Sequence, residues 1–264
     1  MSAPARRTIG VIGGSGTTAI FDGPSTRTHR VATPWGAPSG PVEEGEVGGV
    51  RVLFLPRHGP GHTIPPHRVN YRANVDALRS LGAEAIVTVS SVGSLKEALA
   101  PGTFVLPDQF VDFTKQRPTT FFDGGRVYHV SLADPFCPEL SRTAAEVGRS
   151  VGTPFVEKAT YVCVEGPRFS TRAESAFFRT FADIIGMTLV PEVTLARERA
   201  LCYVCLATVT DYDVWAERPV EAREILETMR RNGERMRTVL AALLPKLAGP
   251  PTCACARALD EAGV

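Results

Sequence analysis

Short apolar runs alternate with helical stripes along this chain. Nearly unbroken apolar segments at 8–12, 51–55, 84–89, 103–106, 156–164, 184–186 and 201–209 predict strands. Their Val, Ile, Leu and Phe residues fall on both strand faces, as in a sheet covered on both sides. Helices are predicted between several of them. Residues 70–81 place Val75, Leu78 and Leu81 on one stripe, and 138–150 begin at Pro138, a favoured first helical residue. Thr171-x-x-Glu174 has the form of a capping box opening 172–182, and Pro191-Glu192 opens 191–199. The last helix, about 219–244, spaces Ile225, Leu226, Met229, Met236, Val239, Leu240 and Leu243 at near-helical intervals. This alternation predicts an α/β domain with a central β-sheet flanked by helices and ligands at the C-terminal ends of the strands. The Pro- and Gly-rich stretch 247–264 is expected to be a loosely ordered tail.

Composition narrows the classes of function. With 264 residues, 44% of them apolar, the chain can bury a full core as one large domain or two small ones. A formal net charge of +1 and 22% charged residues leave no electrostatic footprint for nucleic acid or a membrane surface. The apolar stretch near the N-terminus is too short for a secretory signal, and a cytoplasmic location is expected. Of the six cysteines, Cys202-x-x-Cys205 and Cys253-x-Cys255 superficially offer four zinc ligands. Cys202 and Cys205, however, lie within one apolar strand and face opposite sides. Buried free thiols are the expected state for Cys137, Cys163, Cys202, Cys205, Cys253 and Cys255, with a tail-to-core disulfide left open.

Polar clusters follow the predicted strands. Gly13-Gly14-Ser15-Gly16 suits an anion held by backbone N–H groups and a hydroxyl, or a plain tight turn. It lacks the Lys of a nucleotide-triphosphate loop, and no acidic residue stands at 29–34 to complete a dinucleotide site. Arg57-His58-Gly59, with His62 nearby, can serve a phosphate oxyanion or sit on the surface. Ser90-Ser91-Val92-Gly93-Ser94 and Gly186-Met187-Thr188 offer hydroxyls and free amides, and Phe169 can stack on a flat base or pack in the core. In Thr210-Asp211-Tyr212-Asp213 two carboxylates project to one side of a strand end. Sharing a pocket, one would ionise readily and the other would hold its proton to higher pH. Five such clusters after strands of one sheet argue jointly for a single anion-plus-ligand pocket.

The ordered series Ile12-Gly-Gly-Ser-Gly16, Arg57-His-Gly-x-x-His62, Val69-Asn-Tyr-Arg-Ala-Asn74, Ser91-Val-Gly-Ser-Leu95, Asp134-Pro-Phe-Cys137, Glu165-Gly-Pro-Arg-Phe-Ser170, Met187-Thr-x-x-Pro-Glu192 and Thr210-Asp-Tyr-Asp213 resembles the trimeric purine nucleoside phosphorylases, most of all those that cleave 5'-methylthioadenosine. The resemblance spans about 8–246 as one domain. It implies a mixed sheet, a homotrimer and phosphorolysis of a nucleoside to free base and pentose 1-phosphate, with phosphate as co-substrate and no metal or organic cofactor. By motif position it assigns phosphate binding to Ser15, Arg57, His58, Ser90 and Thr188. It places the backbone around Ser91 and Met187 at the ribose hydroxyls and Phe169 on the purine. Ser170 and Asp213 would meet the polar edge of the purine, with Asp211 at N7 as acid. His62 and His129 would border the 5' substituent, and the neighbouring subunit would close that pocket through the start of the last helix, at Ile225 and Leu226. The 6-oxopurine members carry Glu and Asn where this chain has Ser170 and Asp211, so the resemblance favours adenine. Ser15 and Ser90 in place of threonines, Gly186 in place of asparagine and Ser91-Val92 in place of Ala-Cys are departures that bear on the phosphate site and the 5' pocket.

Overall fold

The first strand, β1 (Ile9–Gly13), is buried at every position, which places it near the middle of the sheet. The computed structural model describes residues 7–14, 20, 21, 23, 27–215, 222–260, 262 and 263, without the side chains of 222–226. The other strands are β2 (Arg27–His29), β3 (Val42–Val47), β4 (Val50–Pro56), β5 (Ala85–Ser94), β6 (Phe104–Phe113), β7 (Phe155–Val164), β8 (Ile184–Gly186) and β9 (Cys202–Asp211). They form one nine-stranded sheet in the order β2-β3-β4-β1-β5-β8-β7-β6-β9. A further parallel pairing of β5 with β9 curls its second half into a closed ring of β5, β8, β7, β6 and β9. The sheet is mixed: β4, β1 and β5 run parallel, whereas β3 runs against β4 and β8 against β5.

Among the described residues, five α-helices accompany the sheet: α1 (Tyr71–Ser80), α2 (Pro138–Ser150), α3 (Arg172–Phe178), α4 (Leu189–Glu198) and α5 (Ala222–Leu243). One core layer joins Val75 and Leu78 of α1 and Val193 and Leu195 of α4 to one sheet face. The other layer joins Leu140 of α2 and Met236, Val239 and Leu240 of α5 to the opposite face. Cys205 belongs to the first layer and Cys202 to the second, as a strand period of two requires. The capping box at α3 is complete: the Thr171 hydroxyl accepts from Glu174 N at 3.1 Å and the Glu174 carboxylate accepts from Thr171 N at 2.7 Å.

Three expectations need correction. Strands β2 and β3 were unpredicted because β3, near the sheet edge, carries Glu43 on one face and Glu44 and Glu46 on the other, none of them buried. Residues 90–94, expected to follow the strand as a polar cluster, continue β5 as strand, where Ser90 and Ser94 are buried. The tail is docked rather than loose. Arg7 N donates to Ala248 O at 3.0 Å, and the Glu139 carboxylate accepts from Thr252 N, Thr252 Oγ1 and Cys253 N at 2.7, 2.8 and 3.1 Å. Further along, Gly263 bridges to Tyr128.

Candidate active site

The C-terminal ends of β5, β8 and β9 meet at a cavity of about 490 Å³. Its wall includes His58, His62, Ser91, Phe169, Ser170, Met187, Thr188, Asp211 and Asp213, which the sequence scatters over 150 positions and more. Apolar cover comes from Ile64, Pro65, Pro66, Ile185 and Met229, none of which the motifs had singled out. Among the described residues, no helix is long and apolar enough to cross a membrane.

Asp211 ends β9 and is held by two donors: Thr210 Oγ1 to its Oδ2 at 2.7 Å, and Asp213 N to its Oδ1 at 2.8 Å. Gly93 leaves it room, since a Cβ there would lie 3.0 Å from Asp211 Oδ1 and 3.1 Å from Ile185. Burial raises the Asp211 pKa above the usual carboxylate range, against the pull of those two hydrogen bonds. Asp213 adopts a left-handed backbone (φ 51°) that turns the chain at the cavity. Burial, with the charge of Asp211 adding to it, raises its pKa as well. Asp213 Oδ2 and Ser170 Oγ are buried in this wall without a hydrogen-bond partner. An unpaired buried polar group costs ~1–3 kcal/mol, which a ligand with a complementary polar edge removes.

Around the anion motifs the arrangement differs from the simplest expectation. Arg57 is buried, and its guanidinium is largely engaged. Nε and Nη2 donate to the Glu192 carboxylate at 2.8 and 3.1 Å, Nη2 also to Thr88, and Nη1 to the Val89 carbonyl at 3.0 Å. These bonds leave one Nη1–H over. It lies beneath Gly14, where a Cβ would come within 3.2 Å of Nη1 and 2.5 Å of the Val89 oxygen. Burial opposes the charge on Arg57, but Glu192 outweighs it and the guanidinium is held firmly protonated. Arg57 thus lies below the cavity wall as half of an ion pair.

His58 Nδ1–H donates to the Ile64 carbonyl at 2.8 Å, since a carbonyl only accepts. That bond leaves Nε2 with a free lone pair. Burial and the charge of Arg57 pull the His58 pKa down to about 4, so the ring is neutral at pH 7. His62 packs against it with ring centroids 4.3 Å apart, and its own pKa is lowered by the same two causes. Ser90 lies just below the wall and shares hydrogen bonds with Thr188 Oγ1 at 3.3 Å and with the phenol of Tyr161 at 3.1 Å. Burial raises the Tyr161 pKa, so the phenol keeps its proton.

The loop that carries Phe169 and Ser170 is anchored from below by Arg117, a buried residue that the motifs did not reveal. It donates to the carbonyls of Glu165 and Val190, both at 2.6 Å, and to the Tyr71 hydroxyl at 3.1 Å. Phe169 itself is 60% exposed, an aromatic face at the mouth with little protein packed on it. His129 does not reach the cavity of its own chain. It is exposed, and its backbone N–H pairs with Ala262 O of the tail. Ser15 and the side chains of Ile225 and Leu226 lie outside the described residues. Glu192, Tyr161 and Thr88 also escaped the motif reading. Glu192 stands in the sequence as a helix opener and as the end of the Met187–Glu192 motif, without an assigned role, although a buried acid is a signal for a partner such as Arg57.

Comparison with known proteins identifies the fold. The profile described as the phosphorylase superfamily matches residues 8–245. The S-methyl-5'-thioadenosine phosphorylase of Pyrococcus furiosus is 56% identical over 251 residues, covering 95% of this chain and 97% of that protein. Among solved structures, a methylthioadenosine phosphorylase from an antarctic soil metagenomic library superposes with a TM-score of 0.91 at 44% identity, covering 98% of this chain and 92% of that one. The methylthioadenosine phosphorylase of Schistosoma mansoni in complex with adenine gives a TM-score of 0.87 at 38% identity, covering 91% and 92%. With its fold and nearly its whole length matched in this way, the chain belongs to the phosphorylase superfamily.

Proposed function

We propose that this chain catalyses phosphorolysis of 5'-methylthioadenosine, or of another 5'-deoxy-5'-substituted adenosine, to adenine and a 5-substituted ribose 1-phosphate. The observation that carries the reading is the carboxyl pair Asp211 and Asp213, both with raised pKa values, in a cavity whose wall also holds His58 and Thr188. The relatives named S-methyl-5'-thioadenosine phosphorylase support the choice of substrate.

In this reading the C1'–N9 bond breaks and its electron pair moves onto the purine, leaving oxocarbenium character on the sugar. Asp211, kept protonated to higher pH by burial, donates its proton to N7, a role that typically contributes ~10²–10⁴-fold. A phosphate oxygen stabilises the cationic sugar and then forms the new bond to C1'. Thr188, Ser90 and the Gly14 turn cradle the phosphate, with Ser15 assigned there from the resemblance. Arg57 contributes its remaining N–H and the field of a charge that Glu192 partly offsets. His58 presents a lone pair at Nε2, so the O–H of a monohydrogen phosphate dianion donates to the imidazole.

Asp213 and Ser170 take the purine edge, where their unpaired oxygens match a 6-amino group better than a 6-oxo oxygen. Phe169 covers the base, and the backbones of Ser91 and Met187 take the ribose hydroxyls. Ile64, Pro65, Pro66 and Met229 give an apolar lining suited to a thioether rather than a 5'-hydroxyl. No cofactor enters these steps. The reading includes a cytoplasmic homotrimer whose neighbouring subunit completes the 5' pocket, His129 being free to face such a neighbour. Adenine release from 5'-methylthioadenosine with and without phosphate tests the proposal.

A further inference from the structure

Four of the six thiols converge at a place remote from the active-site cavity. The sulfurs of Cys137, Cys202, Cys253 and Cys255 all lie within 4.8 Å of one another. They come from three separate parts of the chain: the residue before α2, the first residue of β9, and the tail. Cys205, which spacing alone would pair with Cys202, is on the other face of the sheet, and Cys137 takes its place. Each sulfur thus has three sulfur neighbours rather than one. Four thiolates at ~2.3 Å from one zinc ion would be ~3.8 Å apart, within the spread seen here. The separation of Cys202 and Cys253, 3.3 Å, is well beyond a disulfide bond of ~2.0 Å.

The surroundings are built for negative charge. Arg7, 3% exposed, donates from Nη2 to Cys202 Sγ at 2.7 Å, while its Nε and Nη1 have no hydrogen-bond partner. A buried guanidinium with unused donors calls for a nearby anion. Glu139, with Oε1 3.7 Å from Arg7 Nη1, spends Oε2 on the backbone and hydroxyl of the loop that presents Cys253. Cys137 stands at the positive end of α2, which also favours a thiolate.

We propose that Cys137, Cys202, Cys253 and Cys255 form a structural site for a thiophilic divalent cation, with zinc the best match, that pins the C-terminal tail to the core. Binding releases the thiol protons to solvent, and the resulting tetrathiolate centre carries a double negative charge that Arg7 half neutralises. The site takes no part in phosphorolysis. It explains why a Pro- and Gly-rich tail docks.

The test is metal analysis of the full chain purified under reductant without chelator. About one zinc per chain is expected. The Cys253→Ser/Cys255→Ser double variant should fall to background while retaining phosphorolysis. Should that variant fail to fold, wild-type protein exchanged with cobalt(II) alone should show a near-ultraviolet thiolate-to-cobalt band and strong visible bands of tetrahedral cobalt. Three results would overturn the proposal: metal-free protein whose intact mass lies below the all-thiol value and returns to it on reduction, metal-free protein with six free thiols and no cobalt spectrum, or zinc that persists in the folded double variant.

Discussion

The phenol of Tyr161 fills the space that a side chain at Gly186 would occupy: a Cβ there would lie 1.9 Å from the Tyr161 oxygen. The same oxygen is 3.1 Å from Ser90 Oγ, so an absent side chain on β8 makes room for a hydroxyl chain that ends at Thr188. Gly186→Ala should cost ~1–3 kcal/mol of stability through overpacking and should weaken phosphate binding more than nucleoside binding. Thermal unfolding and separate KM values for the two substrates check both parts. Adding Tyr161→Phe should relieve only part of the clash, because the ring carbon beneath the oxygen would still lie 2.6 Å away.

Tyr161→Phe alone keeps the packing and removes the hydrogen bond to Ser90. The expected result is a roughly two- to tenfold rise in KM for phosphate, the worth of one neutral hydrogen bond, with KM for the nucleoside unchanged. A rise in both constants would point instead to a general distortion of β7.

Asp213→Asn replaces a carboxylate that only accepts with an amide that also donates. Turnover of 5'-methylthioadenosine should fall and cleavage of inosine should rise. The discrimination between them should shrink by about 1–3 kcal/mol, read from the ratio of kcat/KM values.

His58 gives a pH signature. Its folded pKa, about 4, lies below the ordinary imidazole value of ~6.5, so between those values the unfolded chain binds the extra proton. The stability contributed by the buried neutral ring is therefore complete above the unfolded pKa and is lost as pH falls through this window. Relative to His58→Gln, the wild-type chain should lose Tm as pH drops from about 6.5 towards 4. Parallel Tm curves for the two proteins would contradict the assigned protonation state. Asp211 and Asp213, whose pKa values are raised, bias the curve in the opposite sense in both proteins and cancel in the difference.

Central strands and the motifs that meet at the cavity were legible because burial and chemistry leave local marks. β9 is almost wholly apolar from Cys202 to Val209 and ends on Asp211, with Asp213 two residues on, so one segment announces both its place in the sheet and its place at the cavity. β3 left no such mark: near the margin of the sheet it carries glutamates on both faces, and the segment reads as a polar loop. Nor does spacing show that Arg57 is held by Glu192, 135 residues away, or that Arg117 supports the Phe169 loop. Those contacts depend on how two distant segments cross, as does the replacement of Cys205 by Cys137 in the thiol cluster.

The most direct test is the Asp211→Asn variant beside wild type, with adenine release from 5'-methylthioadenosine followed at saturating phosphate and with none. Wild type should release adenine only with phosphate, and the variant, folded and still binding the nucleoside, should be slower in kcat by ~10²–10⁴-fold. Phosphate-independent release, or a variant with wild-type kcat, would contradict the assignment of Asp211 as the acid in a phosphorolytic reaction.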